Sequence, residues 1–198
     1  MNPGTFQGPG LGYAPIWGKP ERVTTYTSGT GTYKPTEANA WCYVILVGGG
    51  GGGRQPNGPN CPTSGGGGGC VYQTWIKITS SAGVSYAVGA GGAAGAAGGN
   101  TTFSTLTATG GRIGSANSTG YIAASGTYNL ASTNIRGDYT GWGSTGTLAT
   151  QYGIATDAVG YGGGGIGGNI QLLDGNLSNE TTASAGSGGL IIVADYGA

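Results

Sequence analysis

Six consecutive glycines, Gly48 to Gly53, follow directly on the apolar run Trp41-Cys42-Tyr43-Val44-Ile45-Leu46-Val47. Further all-glycine blocks stand at Gly65 to Gly69 and Gly162 to Gly165, and Gly188-Gly189 leads into a second apolar run, Leu190-Ile191-Ile192-Val193. Glycine has no side chain to bury and loses the most backbone entropy on folding. Forty-eight glycines in 198 residues would favour disorder if they stood alone. The strong apolar runs beside them argue the reverse: an ordered structure holds these glycines where a Cβ would not fit.

From Val23 onward the periodic signals are all β. Val23 to Tyr26 and Thr30 to Tyr33, separated by Ser28-Gly29, read as a hairpin. Trp41 to Val47 and Leu190 to Val193 are continuous apolar runs, which predict central strands of one domain covered on both faces. Val71 to Thr79 alternates, with Tyr72, Thr74, Ile76 and Ile78 on one side and Val71, Gln73, Trp75 and Lys77 on the other. Val84, Tyr86 and Val88 alternate likewise, and Phe103 to Thr109 is a further strand candidate. No segment carries a 3.6-residue period. The expected class is therefore all-β: a β-sandwich-like domain with glycine-rich loops or polyglycine-II segments and few or no helices. Polyglycine II is an extended helix with three residues per turn whose packed copies bond laterally. Gly89 to Gly99, which carries nothing larger than a methyl group, suits such packing.

Length fits one domain with an appendage. Residues 1–21 are proline- and glycine-rich without a period, yet carry Phe6, Tyr13 and Trp17, the features of an extended arm that docks on another surface. Residues 22–198 form the glycine-rich β-domain. Within it the 112–161 zone thins in glycine and gains Tyr121, Tyr128, Tyr139, Trp142, Tyr152 and Tyr161, and reads as inserted surface loops.

Charge excludes several functions. Net charge is zero, 7% of residues are charged, and the seven cations are scattered. That is no footprint for nucleic acid. No window holds the ~20 apolar residues of a membrane-spanning helix, and Met1-Asn2-Pro3-Gly4 does not open a signal peptide. Synthesis in a cytoplasm is the expectation. Strand plus GxGxxG is matched trivially at Val44 to Gly53, but the required helix cannot start in Arg54-Gln55-Pro56-Asn57-Gly58-Pro59. Histidine is absent, which removes Ser-His-Asp and Cys-His catalysis. Carboxylate-pair glycan cleavage is a distant alternative, with Asp138 and Asp157 the least distant couple. The sequence thus points to no enzyme, no cofactor and no metal. Cys61 and Cys70 are close enough for a disulfide, with free thiols the default, and Cys42 reads as a small buried hydrophobe. The four Asn-x-Ser/Thr sequons, at Asn100, Asn117, Asn176 and Asn179, are what chance gives in so Asn- and Thr-rich a chain.

Several motifs in order carry a resemblance: Tyr26-Thr-Ser-Gly-Thr-Gly-Thr-Tyr-Lys-Pro35, Val44-Ile-Leu-Val-Gly48, Gly65 to Gly69 into Val71-Tyr72, Tyr86-Ala-Val-Gly-Ala-Gly-Gly92, Asn100-Thr-Thr-Phe-Ser104, Thr107-Ala-Thr-Gly-Gly111 and Gly188-Gly-Leu-Ile-Ile-Val193. Together, over residues 24–198, they resemble the glycine-rich domain at the ends of bacteriophage tail fibres and in related tail proteins. The resemblance implies a virion component of the tail, a fibre or tip, made in the host cytoplasm and released by lysis. Its implied partners are other virion proteins through the arm (Phe6, Tyr13, Trp17) and a host surface glycan or outer-membrane protein. A homotrimer is implied by analogy with fibres. A purely architectural virion protein without receptor binding is the rival. The receptor candidates fall in the zone poorer in glycine than the family's usual continuation: Tyr121, Tyr128, Arg136, Asp138, Tyr139, Trp142 and Tyr152. Trp142 leads them, because Gly141 and Gly143 leave its ring accessible.

Overall fold

Among the described residues fourteen strands organise the chain: β1 (Thr5–Phe6), β2 (Ala14–Pro15), β3 (Arg22–Tyr26), β4 (Thr30–Tyr33), β5 (Ala40–Val47), β6 (Val71–Ile78), β7 (Val84–Ala87), β8 (Thr101–Phe103), β9 (Leu106–Ala108), β10 (Gly143–Ser144), β11 (Val159–Gly160), β12 (Asn169–Leu173), β13 (Asn176–Thr181) and β14 (Leu190–Asp195). The structure is a computed structural model. It describes residues 19–54, 66–114, 160–165 and 183–198 in full, and residues 5–6, 14–15, 143–144, 159, 169–173 and 176–181 by strand pairing. Among the described residues there is no helix, so the all-β expectation holds.

Two four-stranded antiparallel sheets, ordered β3-β14-β5-β6 and β4-β7-β8-β9, pack face to face. The alternation of β5, β6 and β14 decides which side chains meet between them. Cys42, Val44 and Leu46 from β5, Ile78 from β6 and Ile191 and Val193 from β14 point inward onto Tyr33, Phe103 and Ala108. Burying these side chains fully contributes about 1.5–3 kcal/mol each for the larger aliphatics. Both continuous apolar runs are central strands and pair with one another from Leu190–Val47 to Asp195–Cys42.

Three expectations need correction. β3 and β4 do not form a hairpin: β3 pairs with β14 and β4 with β7, so Ser28-Gly29 carries the chain from one sheet to the other. Gly29, at φ +80°, supplies the turn. Phe103 to Thr109 is two short strands, because Ser104 takes a left-handed conformation (φ +54°) and turns β8 into β9. β5 is fully covered on its inner face alone; Trp41, Tyr43 and Ile45 on the other face are half-buried.

Where β5 ends, the glycines begin a second kind of order. Gly48 to Gly53 is the axis of a bundle and donates six consecutive N–H bonds of 2.8–3.0 Å in rotation. Gly48 and Gly51 reach Cys70 and Gly67, Gly49 and Gly52 reach Gly99 and Ala96, and Gly50 and Gly53 reach Ser187 and Ser184. Its carbonyls accept with the same period: Gly49 and Gly52 from Gly111 and Gly114, Gly50 and Gly53 from Gly92 and Gly95, and Gly51 from Gly165. A period of three with lateral partners is polyglycine II. Among the described residues, six runs therefore surround one. Residues 66–70, 96–99 and 184–189 run against the axis, and residues 89–95, 110–114 and 162–165 run with it. The ring is closed by bonds such as Gly69 to Gly162, Gly189 to Gly89 and Gly98 to Gly111. The packing explains the composition. A Cβ on Gly50 would land on the Gly163 carbonyl, one on Gly51 on that of Arg112, and one on Gly52 on that of Ala93.

Candidate functional site

Strand directions give the molecule two poles. β5 feeds the bundle axis outward, and β14 and β3 place Asp195 and Arg22 side by side at the opposite end of the sheet. Residues 19–22 and 195–198 thus lie at the pole away from the bundle. At the bundle tip the chain leaves the described runs at Arg54, Gly114 and Gly165 and rejoins at Gly66 and Ala183, while Gly95 (φ +81°) makes a tight return within the described residues. The aromatic zone is attached to this bundle at both ends, through Gly114 and through Tyr161-Gly162.

Tyr121, Tyr128, Arg136, Asp138, Tyr139, Trp142 and Tyr152 lie outside the described residues, as do Tyr13, Trp17 and Cys61. Phe6 is placed by backbone alone, in β1 opposite Ala14 of β2, so the arm doubles back on itself. Gly143, beside Trp142, pairs with Gly160 in the β10–β11 ladder. Tyr161, the last aromatic of the zone, packs on the small cluster of Val47, Val71 and Leu190 where sheet and bundle join. Cys70 is buried at the head of β6 with its sulfur 3.7 Å from the Val71 carbonyl. Cys42 is buried as expected; burial, followed by the charge of Asp195, pushes its thiol up to about 12, which leaves it protonated and unreactive.

The structure also brings together residues that sequence reasoning did not single out. On the outer face of the β3-β14-β5-β6 sheet, Tyr43 packs against Trp75 with ring centroids 5.2 Å apart, and Trp75 against Tyr196 at 4.9 Å. The Lys77 ammonium lies 5.8 Å from the centre of the Trp41 ring, a cation–π contact. The row is half-buried, and Val23 beyond it on β3 is 58% exposed. The signal was legible: Trp41 and Tyr43 share the parity of Trp75 and Lys77 across the β5–β6 register.

At the pole away from the bundle, Asp195 is fully buried. Its carboxylate accepts from the Tyr33 hydroxyl (2.7 Å), the Thr36 N–H (2.8 Å), the Thr36 hydroxyl (3.1 Å) and the Gly197 N–H (3.1 Å). Arg22 stands 3.4 Å away and also donates to the Tyr33 hydroxyl and the Lys34 carbonyl. Burial alone would push this carboxyl up; the hydrogen bonds from Tyr33, Thr36 and Gly197 outweigh it and hold it below the usual aspartate value. Tyr33 is pushed far up, by burial first and then by the carboxylate. This arrangement fastens the last strand to the loop after β4. It is a structural clasp, since its carboxylate is enclosed by its own chain. Beside the same pole a cleft of about 220 Å³ opens between Ile76, Ile78, Val84 and Leu106, rimmed by Ser80 and Ser104. Among the described residues no group of His, Cys, Asp and Glu side chains could hold a metal ion.

A sandwich whose central strands pass directly into a polyglycine-II bundle, with an aromatic sheet face and no assembled catalytic groups among the described residues, defines the class as a glycine-rich all-β domain. The family model described as "Glycine-rich domain" matches residues 24–196, and the chain belongs to that family. A search of curated proteins found no match.

Proposed function

We propose that this chain is a bacteriophage tail component, a fibre or tail-tip protein, that binds the host cell surface. The observation that supports the reading most is the polarity of the molecule. The arm joins at the pole carrying Arg22 and Asp195, while the chain departs into 115–158 from the bundle tip and comes back at Tyr161, where sheet and bundle join. The segments that follow Arg54 and Gly165 both leave from that tip. A bundle held mainly by backbone-to-backbone hydrogen bonds is stiff, almost uncharged and little dependent on what its loops contain. That is the scaffold a variable recognition surface needs. Attachment belongs to Phe6, Tyr13 and Trp17. Recognition belongs to Tyr121, Tyr128, Arg136, Asp138, Tyr139, Trp142 and Tyr152, whose aromatic faces stack on sugars or pack on protein while Arg136 and Asp138 add directional hydrogen bonds.

Trp142→Ala in assembled phage tests the reading. Adsorption should fall while thermal stability stays unchanged, since losing a true hot spot costs about 2 kcal/mol or more. Purified chain added to host cells should also compete with phage adsorption. Absence of competition supports the architectural rival instead.

A further inference from the structure

We propose that the outer edge of β6 pairs with β6 of a second copy of this chain, antiparallel about a two-fold axis at Trp75. β6 is an edge strand of eight residues in unbroken register with β5, without proline or bulge. The register fixes which backbone groups are used. Gly48 N–H bonds to the Cys70 carbonyl, so by parity Tyr72, Thr74, Ile76 and Ile78 bond to β5. The N–H and C=O groups of Val71, Gln73, Trp75 and Lys77 therefore point away from the sheet. Among the described residues these backbone groups take part only in weak contacts, the Thr74 hydroxyl donating to the Trp75 carbonyl at 3.4 Å and the Cys70 thiol to the Val71 carbonyl at 3.7 Å.

Sheets protect such edges with charge, proline, bulges or shortness. The other three edges of the two four-stranded sheets are protected: β3 has five residues and carries Arg22, β4 has four, and β9 has three. β6 has one charge, and it does not guard the edge, because the Lys77 ammonium is turned back over the ring of Trp41 on β5. The edge is also self-complementary. With Trp75 on the axis, Gln73 faces Lys77 of the second copy and Val71 faces its Thr79, so no like charges oppose. Trp75 meets its own copy, which extends the Tyr43–Trp75–Tyr196 row across the junction of the two sheets. Aromatic cross-strand pairs of this kind stabilise antiparallel sheets. A two-fold pair closes on itself and is a different assembly from the homotrimer that fibre analogy suggests.

The test is sedimentation equilibrium of the full chain over a wide concentration range, with two variants. The expected mass is twice the 19.2 kDa of one chain. Gln73→Pro removes an outward N–H that β5 does not use, and proline is tolerated on an edge strand in that orientation. Trp75→Lys sets two ammonium groups against each other on the axis. Each should halve the mass while leaving the far-ultraviolet spectrum unchanged. Hydrogen exchange on the wild-type chain supplies the readout if either variant unfolds: the amides of Gln73, Trp75 and Lys77 should gain protection as concentration rises. A single-chain mass throughout, a three-chain mass, a pair that survives both variants in folded form, or amides indifferent to concentration would each overturn the proposal.

Discussion

Gly51 and Gly188 sit in the same bundle and answer differently to one added methyl group. A Cβ on Gly51 would occupy the place of the Arg112 carbonyl, whereas one on Gly188 meets nothing closer than the Gly89 oxygen at 3.9 Å. Overpacking typically costs about 1–3 kcal/mol, more where backbone must move. Gly51→Ala should therefore lower the melting temperature by many degrees, and Gly188→Ala should leave it nearly unchanged. Equal melting of the two would refute the close packing of the axis. Asp195 gives the second prediction at this scale. Asp195→Ala strands the Tyr33 hydroxyl and the Thr36 and Gly197 N–H groups in the interior, and should cost about 3 kcal/mol or more in urea unfolding. Because its folded pKa is depressed, the stability it contributes is present above the ordinary aspartate value of about 3.9 and is lost as pH falls through the lower folded value. The wild type should accordingly lose stability below that range, and Asp195→Ala should show a flatter acid limb. Nothing local announced this residue: its Tyr33 and Thr36 partners lie 162 and 159 positions away in sequence.

Strands whose pattern is internal were legible, and strands defined by their partners were not. β5 and β14 announce themselves by unbroken apolar runs, and β6 by an alternation that fixes both of its faces. Such patterns reflect burial, which the side chains themselves record. β3 and β4 misled because Ser28-Gly29 is a good turn in either geometry. The choice between a hairpin and a change of sheet is made by β14, more than 150 residues away on the chain. Ser104 hid the β8–β9 turn, since serine advertises a left-handed conformation far less than glycine does. The sequence left the glycine runs open between loops and polyglycine II; which run lies beside which is set by backbone bonds and leaves no trace in side chains. The aromatic face on β5 and β6 was readable from parity, whereas the receptor candidates lie outside the described residues. At this scale Leu46→Asp is decisive. It would bury an unpaired charge between the sheets, against Val44 and Ile191, and should abolish soluble expression. A soluble, folded Leu46→Asp protein would displace β5 from the centre of the sandwich.

Taken whole, the molecule separates what must be kept from what is free to change. Deleting residues 1–18 leaves Glu21, whose N–H bonds to the Asp195 carbonyl, in place. The truncated chain should keep its spectrum and melting temperature but fail to enter particles, and normal incorporation would rule out an attachment role for the arm. The bundle carries a further consequence, for insertions and deletions. Along the Gly48–Gly53 axis successive residues face different neighbours, and only every third returns to the same one. Adding or removing one residue there would turn every later group toward the wrong run and strand its bond, whereas a change of three would restore the sequence of partners one turn along. Descendants of this chain should accordingly vary the segments between the runs in any length, and the runs themselves only in steps of three, so that the molecule carries a triplet frame written in its geometry.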